Sequence, residues 1–402
     1  MTTALEGVKV LDFCWVAIGP MTTRYLSDFG ATVVRIESIH RIDTLRTATP
    51  HKDGIPGTNR SGYFANYNGG KYSMALNMAE PRARELAKDL ARWADVVTEN
   101  FTPGIMERWG LGYENLKEIN PNVIMFSASM QGRGGPYSNQ PGFGPVLTAL
   151  SSHTHLTGWP DRTPTSPYGA YTDFLLPHLT ISAIAAALDH RHRTGEGQHL
   201  DFSQLEGSLY FVAPAIMDYA ANGRVQTRQG NRHPLYAPHN AYPCRGDDRW
   251  CAIACRSDDE WRSLCQLIGQ PSVANEPRFA TMEARKENEE ALDTVVTGWT
   301  QDQDAFDLMH RCQKAGVPAG VVQTCEDLFN DPQLQHRGHY VFLEHKEIGR
   351  HAYDANCFHL SESPPTYKPA PLLGEHTDWV CREILGLSGD EIKDLTEAGV
   401  LT

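Results

Sequence analysis

Short apolar runs alternate with segments of helical periodicity over the first 130 residues. The runs predict strands at 8–13, 31–37, 95–99 and 123–127. Pro20 and Gly30 are typical of a helix start and end, which predicts a helix between them. A second helix is predicted over 81–93, where apolar residues share one face: Ala83, Leu86, Ala87, Leu90 and Trp93. Strands that alternate with helices predict an α/β fold with a parallel sheet that binds ligands at the carboxyl ends of its strands.

The pattern changes between residues 132 and 222. Residues 132–144, GRGGPYSNQPGFG, are dense in Gly and Pro and predict a loop. An apolar helix is predicted from Asp173 to about His190, followed by a strand at 197–203 and a long helix over 203–221. These elements complete the first part of a large domain, 1–222.

The remaining chain predicts an inserted domain and a return to the first one. Residues 223–239 have little periodicity and are interpreted as a linker. A hairpin and three helices over 240–325 predict a smaller α+β domain. Residues 326–402 again have a sheet-and-helix pattern, which favours a return to the large domain.

Composition narrows the possible partners. The chain has 402 residues, of which 41% are hydrophobic and 21% charged, with a formal net charge of −13. This acidic balance disfavours nucleic acids and anionic membranes as partners, because binding them needs clustered Lys and Arg. No basic leader precedes an apolar stretch, and no uninterrupted apolar run approaches the length of a membrane span, so we expect a soluble, cytoplasmic protein.

Nine cysteines do not predict a metal site or disulfides. None forms a CxxC pair, and the group Cys244, Cys251, Cys255 and Cys265 has the spacing of no common zinc site. We therefore expect reduced, buried thiols and no bound metal.

The first strand-to-helix turn excludes the commonest dinucleotide fingerprint. It has the sequence FCWVAIGP, without GxGxxG, so a nicotinamide or flavin enzyme is a weak alternative even though Glu37 ends the second strand. The GxSxG, HExxH and GxxxxGK[ST] motifs do not occur, which disfavours the commonest hydrolase and kinase chemistries.

Three ionisable residues are candidates for chemistry, each with a simpler structural interpretation. Asp173 precedes an apolar helix, and position alone favours it as the N-cap. A carboxylate at the positive end of a helix is also held ionised and could act as a nucleophile. Lys71 and Arg108 lie near predicted strand ends, where each is either a solvated surface cation or a phosphate ligand.

A series of segments, in consistent order from about residue 5 to the C-terminus, resembles the class III coenzyme A transferase family (CaiB/BaiF-like). The segments are LEGVKVLDF, GATVVRIES, NGGKYSMALN, ADVVTENFTPGIMERWGLGYENL, GGPYSNQPGFG, YTDF, RTGEGQHLD and LLGEHT. The resemblance implies a Rossmann-like large domain built from both chain ends, an inserted small domain and an interlocked dimer. It also implies that Asp173 is the nucleophile and that acyl-CoA is a substrate, with no tightly bound cofactor.

The resemblance further implies a set of CoA contacts. These are Val16, Ala17, Ile18, Asn68, Lys71, Asn100, Phe101, Thr102, Arg108, Met130 and Gln131. Two positions depart from the family pattern: Ser38 replaces a family arginine, for which Arg41 could substitute, and Met130 replaces a family glycine.

Three functional alternatives stay open. The main one is transfer of CoA between carboxylic acids, with succinyl-CoA as a possible donor and an aryl or branched dicarboxylate such as benzylsuccinate as a possible acceptor. The second is an α-methylacyl-CoA racemase, which needs an additional histidine where this chain has Phe143 and Gly144. The third is a silent subunit of a heteromeric transferase, so the partner is either a second copy of this chain or a paralogous subunit.

Overall fold

A computed structural model describes residues 3–402, which form two compact units. The first unit comprises the chain up to Thr154, together with Ser166–Val225 and Gln333–Thr402. The second comprises His155–Thr165 and Gln226–Pro332. The second unit therefore includes residues 226–239 of the segment that we predict as a linker.

A six-stranded parallel sheet forms the centre of the first unit. Its strands are β1 (Lys9–Asp12), β2 (Thr32–Glu37), β3 (Tyr72–Ala75), β4 (Val96–Glu99), β5 (Ile124–Ser129) and β6 (His199–Ser203). Their spatial order is β3-β2-β1-β4-β5-β6, and every neighbouring pair is parallel. The order reverses between β1 and β4, so the loops that follow these two strands open a crevice at the carboxyl edge.

Helices cover both faces of this sheet. The helices between β1 and β6 are α1 (Ile18–Asp28), α2 (Gly62–Tyr67), α3 (Pro81–Trp93), α4 (Ile105–Arg108), α5 (Tyr113–Ile119), α6 (Gly144–Leu150), α7 (His153–Leu156), α8 (Tyr171–Leu175) and α9 (Pro177–Thr194). Short 3-10 helices lie at Thr44–Thr47 and Lys52–Gly54.

The apolar runs of the strands supply two cores because successive side chains point to opposite faces. Val10 on β1 and Val96 on β4 pack with α1, α6 and α9. Their neighbours Leu11 and Val97 pack on the other face with α3 and α5. All four side chains are fully buried, which explains why the strands read as continuous apolar runs.

Helices α8 and α9 run on as one helix of 24 residues, Tyr171–Thr194, in which an 18-residue window has a mean hydropathy of 1.2. By length and composition alone this helix could cross a membrane, although the same test is passed by core helices of globular proteins. In this structure it packs against α1, β5 and β6, and Ile184 and Ala187 are buried there.

The long helix predicted over 203–221 is wrong as a single element. The structure has α10 (Gln204–Leu209), a 3-10 turn (Tyr210–Val212) and α11 (Ala213–Asn222). Pro214 lies in the first turn of α11, where its missing N–H and fixed φ are tolerated, whereas inside a continuous helix it would remove a hydrogen bond.

The second unit has its own antiparallel sheet and core. Strands β7 (His239–Pro243), β8 (Trp250–Ala254) and β9 (Ala319–Val321) are ordered β7-β8-β9. The helices are α12 (Asp258–Ile268), a 3-10 helix Pro271–Asn275, α13 (Met282–Glu287), α14 (Glu289–Thr300), α15 (Ala305–Lys314) and α16 (Cys325–Asn330). Cys244, Cys251, Cys255 and Cys265 are buried in its core, and no group of three potential metal ligands occurs among residues 3–402.

The C-terminal part of the chain adds to the first unit. It contains α17 (Pro332–Arg337), the antiparallel hairpin β10 (Tyr340–His345) and β11 (Gly349–Asp354), α18 (Thr377–Trp379), a π-helical turn (Val380–Ile384) and α19 (Gly389–Glu397). Val400 and Leu401 are buried in the core beside α3, and the backbone N–H of Asn77 donates to the carbonyl of Val400 at 2.8 Å. These contacts hold the C-terminus beside the end of β3.

Candidate active site

A cavity of about 440 Å³ lies at the carboxyl ends of β1, β2, β3 and β4. Its walls are largely aromatic and aliphatic, from Phe13, Trp15, Ile36, Leu76, Met78, Phe101, Ile105 and Trp109. Ser38, His40 and Arg41 line it as well, and the guanidinium of Arg41 lies 5.3 Å from the centre of the Trp15 ring. An apolar slot with a cation at its rim fits a flat heteroaromatic group attached to phosphates.

The turn between β1 and α1 borders this cavity in an unusual backbone conformation. Val16 has φ of +64°, a left-handed value that a β-branched residue rarely adopts and that costs about 1–3 kcal/mol. Asn100 on the neighbouring loop donates to the carbonyl of Trp15 at 2.7 Å and accepts its N–H at 2.8 Å. Ala17 and Ile18, which follow, are nearly buried at the start of α1.

The ammonium of Lys71 is engaged inside the protein. Lys71 is only 3% exposed. Its ammonium donates to Asp12 at 3.1 Å, to the carbonyl of Pro20 at 3.0 Å and to Asn68 at 2.9 Å. These three bonds use all of its hydrogens. Burial lowers the pKa of Lys71 to about 8, although the charge of Asp12 opposes that shift. In this structure the side chain fixes Asp12 beneath the turn.

Asp12 at the end of β1 is satisfied on every side. It accepts hydrogen bonds from Lys71, from Thr23 at 2.7 Å, from Thr98 at 3.0 Å and from the N–H of Cys14 at 2.9 Å. Burial raises the pKa of Asp12, but the nearby positive charges outweigh that effect and the net shift is downward. Asp12 is thus held as an anion that organises the loop ends around it.

A second buried ion network occupies the end of β2. Both carboxylate oxygens of Glu37 accept from Arg46, at 2.9 and 2.7 Å, and one also accepts from Ser73 at 2.8 Å. Burial raises the pKa of Glu37, but the charges of Arg46 and Arg35 outweigh it and bring the pKa down to about 2. These bonds leave Glu37 little capacity to hold a ribose hydroxyl, so the site argues against the nicotinamide alternative.

The remaining predicted CoA contacts divide into open and occupied side chains. The amide of Asn68 is fully buried and bonds Lys71 and the carbonyl of Phe64. Phe101 and Thr102 line the cavity. Arg108 is exposed on α4, and its guanidinium makes no bond to the part of the chain that the structure describes.

Met130 and Gln131 lie at the end of β5, on the loop that leads to α6. A Cβ placed on Gly142 would approach the sulfur of Met130 to 2.5 Å, so this methionine packs tightly beneath the loop. Gln131 donates to Gln140 at 2.8 Å. Both residues therefore organise the glycine-rich loop internally.

Asp173 lies in the first turn of α8, at the start of the long helix Tyr171–Thr194 in the crossover that connects β5 to β6. Its prediction as an N-cap is wrong, because Ala170 holds that position and no side chain caps the helix. A crossover helix between parallel strands begins at the carboxyl edge, so Asp173 faces the same edge of the sheet as the cavity. The residue is 7% exposed, and its buried Oδ1 atom has no hydrogen-bond partner within residues 3–402.

Burial raises the pKa of Asp173 to about 6, above the ordinary value of 3.8. The helix terminus was expected to hold this carboxyl ionised, but desolvation is the larger effect. Roughly nine in ten such carboxyls are still ionised at pH 7. Asp173 is therefore a poorly solvated carboxylate, which makes it a stronger nucleophile than an exposed one.

Gly144 at the start of α6 packs directly against this carboxylate. A Cβ at this position would lie 2.1 Å from the Cβ of Ala170 and 3.0 Å from Oδ2 of Asp173. No side chain fits there without a shift of the backbone. A racemase would need a second acid or base at this place, so the packing disfavours the racemase alternative.

A second cavity, of about 490 Å³, adjoins the Asp173 segment. Its lining is mostly aromatic: Tyr63, Tyr67, Tyr168, Phe174 and His351 contribute, with Gly169 and Ala170 at the Asp173 side. The rings of Tyr63 and Tyr67 meet edge to face at 4.8 Å. This cavity has the size and character to hold an acyl group beside the segment that carries Asp173.

Sequence reasoning missed the buried charges that support the site. Arg35, Asp43 and Arg46 are each 1% exposed or less, and together with Glu37 they form one ion network. The signal was present in the strand VVRIE, where Arg35 lies within an apolar run. A charge in a strand that is buried on both faces needs a buried partner, although the sequence does not say which residue provides it.

The comparisons with known proteins point to a single family. The sequence model described as CoA-transferase family III matches residues 5–377. A succinyl-CoA–D-citramalate CoA-transferase of Chloroflexus aurantiacus is 32% identical over 398 residues, covering 99% of this chain and 98% of that protein. A succinate–glutarate CoA-transferase of Agrobacterium fabrum is 33% identical over 383 residues, covering 94% and 95%. The crystal structure of a CaiB/BaiF family protein from Brucella suis superposes with a TM-score of 0.87 at 33% identity, covering 96% of this chain and 100% of that one.

Proposed function

Because this chain belongs to CoA-transferase family III, we propose that it transfers CoA between two carboxylic acids through covalent intermediates on Asp173. The observation that carries this proposal is a buried carboxylate with an unpartnered oxygen at the carboxyl edge of the sheet. Buried polar groups are nearly always satisfied, and the exceptions concentrate where chemistry requires them.

The reaction balances without a redox partner or a net proton. An oxygen of Asp173 attacks the thioester carbon, the carbon–sulfur bond breaks, and the CoA thiolate leaves behind a mixed anhydride. The thiolate then attacks the aspartyl carbonyl, which releases the donor acid and forms an aspartyl-CoA thioester. The acceptor carboxylate repeats both steps in reverse order, which regenerates Asp173. Burial of the carboxylate protects the anhydride from water.

The turn and the loop around the first cavity are proposed to bind CoA. The turn at Val16, Ala17 and Ile18 and the loop at Phe101 and Thr102 would hold the adenosine and pantetheine parts through backbone and ring contacts. Arg108 and Arg41 are the available cations for the phosphates, and Arg41 lines the cavity beside Ser38, where the family arginine is missing.

Intact-mass measurement after incubation with succinyl-CoA tests the nucleophile. We expect a mass increase that hydroxylamine removes and that peptide mapping places on Asp173, and no increase in Asp173→Ala. The matched control is Asp28→Asn, because Asp28 is also a buried aspartate, with its pKa raised by burial to about 7, and lies at the far end of α1. The control should keep the adduct. Absence of any adduct with a panel of acyl-CoA donors, together with deuterium exchange at an acyl α-carbon, would contradict transfer and favour racemisation.

Succinyl-CoA is proposed as the donor and a dicarboxylate as the acceptor. Both relatives described above are named for succinyl-CoA or succinate and a second dicarboxylic acid. The aromatic cavity beside Asp173 supports an aryl or branched acid, such as benzylsuccinate. Comparing kcat/KM for benzylsuccinate, citramalate and glutarate separates these acceptors, and a preference of more than about tenfold for glutarate would argue against the aryl class.

We propose that a second copy of the chain, or a paralogous subunit, covers α10 and α11. Helix α11 buries none of its own residues, and Tyr210, Met217, Tyr219 and Val225 are more than half exposed along this segment. An apolar surface of this kind marks an interface. Native mass spectrometry of the purified chain should show a dimer with transferase activity, whereas an inactive monomer would favour the heteromer.

A further inference from the structure

In the turn between β1 and α1, every backbone N–H and carbonyl from the N–H of Cys14 to the N–H of Val16 forms a hydrogen bond with a side chain. The bonds are Cys14 N–H to Asp12 (2.9 Å), Cys14 carbonyl from Arg35 (2.7 Å), Trp15 N–H to Asn100 (2.8 Å), Trp15 carbonyl from Asn100 (2.7 Å) and Val16 N–H to Asp43 (3.2 Å). The partners come from β1, β2 and the loops after β2 and β4. Loops normally expose such groups to water, so this turn is held to one conformation.

Asp43 is the partner that meets the strained residue. Its carboxylate accepts the N–H of Val16, whose φ is +64°, and the N–H of Leu45 at 3.0 Å. Arg35 pairs with the same carboxylate and with the carbonyl of Cys14. A left-handed valine persists only where its surroundings determine it, and Asp43 supplies the contact on its N–H.

Asp43 cannot touch a ligand itself. Its side chain is fully buried beneath the turn, and it is not among the residues that line the cavity. What it controls lies on the other side of the turn, where the Trp15 ring enters the cavity and packs edge to face on Phe101 at 5.7 Å. The left-handed step at Val16 also sets where α1 begins, at Ile18.

We propose that Asp43 is a positioning residue for acyl-CoA, which holds Val16 left-handed and thereby fixes the Trp15 ring and the start of α1 at the cavity. This inference rests on the proposed function, because it assumes that acyl-CoA occupies that cavity. Preorganisation of the turn spares the ligand the entropy of ordering it, so loss of Asp43 weakens CoA binding more than it slows the chemical steps.

The first test compares Asp43→Asn with the double variant Asp43→Asn/Val16→Gly. We expect Asp43→Asn to raise the Kd for CoA, measured by calorimetry, and the KM for succinyl-CoA roughly tenfold, with a smaller change in kcat. Glycine adopts positive φ without strain, so the added Val16→Gly should recover at least about threefold of that loss. Asp28→Asn is the matched control for removing a buried carboxylate from the same unit, and its Kd should stay within about twofold of wild type.

Two outcomes overturn the inference. An unchanged Kd in Asp43→Asn means that Asp43 does not position the ligand. A raised Kd that Val16→Gly fails to improve means that Asp43 acts through general stability and not through Val16. Because the Kd for CoA does not depend on turnover, a wild type that binds CoA but transfers no acyl group would contradict the proposed function while leaving this comparison valid.

Hydrogen exchange on the wild type gives a second test that does not depend on a variant folding. The amides of Cys14, Trp15 and Val16 donate to side chains that are mostly buried, so they should exchange at least about a hundredfold more slowly than those of the loop at 134–139. Exchange of these three amides as fast as in that loop would show that the turn is not held and would refute the proposal.

Discussion

Two buried aspartates at the same edge of one sheet have opposite surroundings. Asp12 is fully buried and bonds Lys71, Thr23, Thr98 and a backbone N–H. Asp173 is almost as buried, yet one of its oxygens has no partner within residues 3–402. The pKa of Asp12 is held below its ordinary value, whereas burial raises that of Asp173 to about 6.

The difference separates a carboxylate that stabilises the fold from one that is available to react. Desolvation disfavours both anions, and only Asp12 is compensated by a cation and hydrogen bonds. A compensated carboxylate is a poor nucleophile because its lone pairs are engaged. Burial alone therefore does not identify a reactive aspartate, whereas burial without compensation does so.

Exchange of each aspartate for asparagine should give the largest and most contrasting effects. Asp173→Asn should lower kcat at least about a thousandfold, because it removes the nucleophile, and should leave the free energy of unfolding unchanged or higher. Asp12→Asn should lower the free energy of unfolding by about 3–5 kcal/mol, because it leaves Lys71 buried without its counter-ion. Steady-state kinetics and urea unfolding at pH 7.5 measure both quantities.

The distinction between the two aspartates would be contradicted if Asp173→Asn lost stability and Asp12→Asn lost only activity. A destabilised Asp173→Asn with residual turnover above about a tenth of wild type would assign Asp173 a structural role. The double variant Asp12→Asn/Lys71→Met provides the control, since removing both charges should recover most of the stability lost in Asp12→Asn.

The pH dependence of stability should differ in sign between the two residues. The pKa of Asp173 is raised in the folded state, so its contribution is fully present below about pH 4 and is lost as pH rises through about 6. Between pH 4 and pH 7, the free energy of unfolding of Asp173→Asn should therefore rise relative to that of wild type by up to about 3 kcal/mol. For Asp12 the lowered pKa gives stability that is present above its ordinary value of 3.8 and is lost as pH falls below it.

Kinetics provide the matching measurement. If Asp173 must be ionised to attack, kcat/KM should rise with pH along a single limb with an apparent pKa near 6 and then level off, because kcat/KM reports the ionisation of the free enzyme. A flat kcat/KM from pH 5 to pH 8, with an unfolding free energy of Asp173→Asn that tracks wild type throughout, would contradict the raised pKa.

Most of the main sheet could be predicted from the sequence, and the misses have physical reasons. Strands β1, β2 and β4 fall within the predicted apolar runs, and β5 overlaps its predicted run but extends two residues beyond it, to Ser129. Strand β3, Tyr72–Ala75, was not predicted because four residues after a Gly-Gly pair carry too little periodic signal. The prediction of one long helix over 203–221 is wrong because Pro214 starts a new helix there.

The site was less predictable than the fold. Residue type and position favoured Asp173 as a helix cap, and only the resemblance to a known family raised it to a nucleophile. The sequence does not predict the ion pair of Lys71 with Asp12, because the two residues lie 59 positions apart and spacing does not reveal such pairs. Lack of compensation at Asp173 is a property of the packing, which local sequence cannot show.

Gly144→Ala should give the smallest effect and tests how finely the packing around Asp173 is set. Its Cβ would lie 2.1 Å from the Cβ of Ala170 and 2.7 Å from the Cα, so the segment that carries Asp173 must shift. We expect kcat to fall roughly tenfold and the free energy of unfolding by about 1–3 kcal/mol. Ala170→Gly in the same chain should restore part of both, since it removes the nearer clash. Gly298→Ala is the control, because Gly298 lies in α14 with no atom within 4 Å of the added carbon. Equal effects of the two glycine substitutions on kcat would mean that the position of Asp173 is not set by this contact.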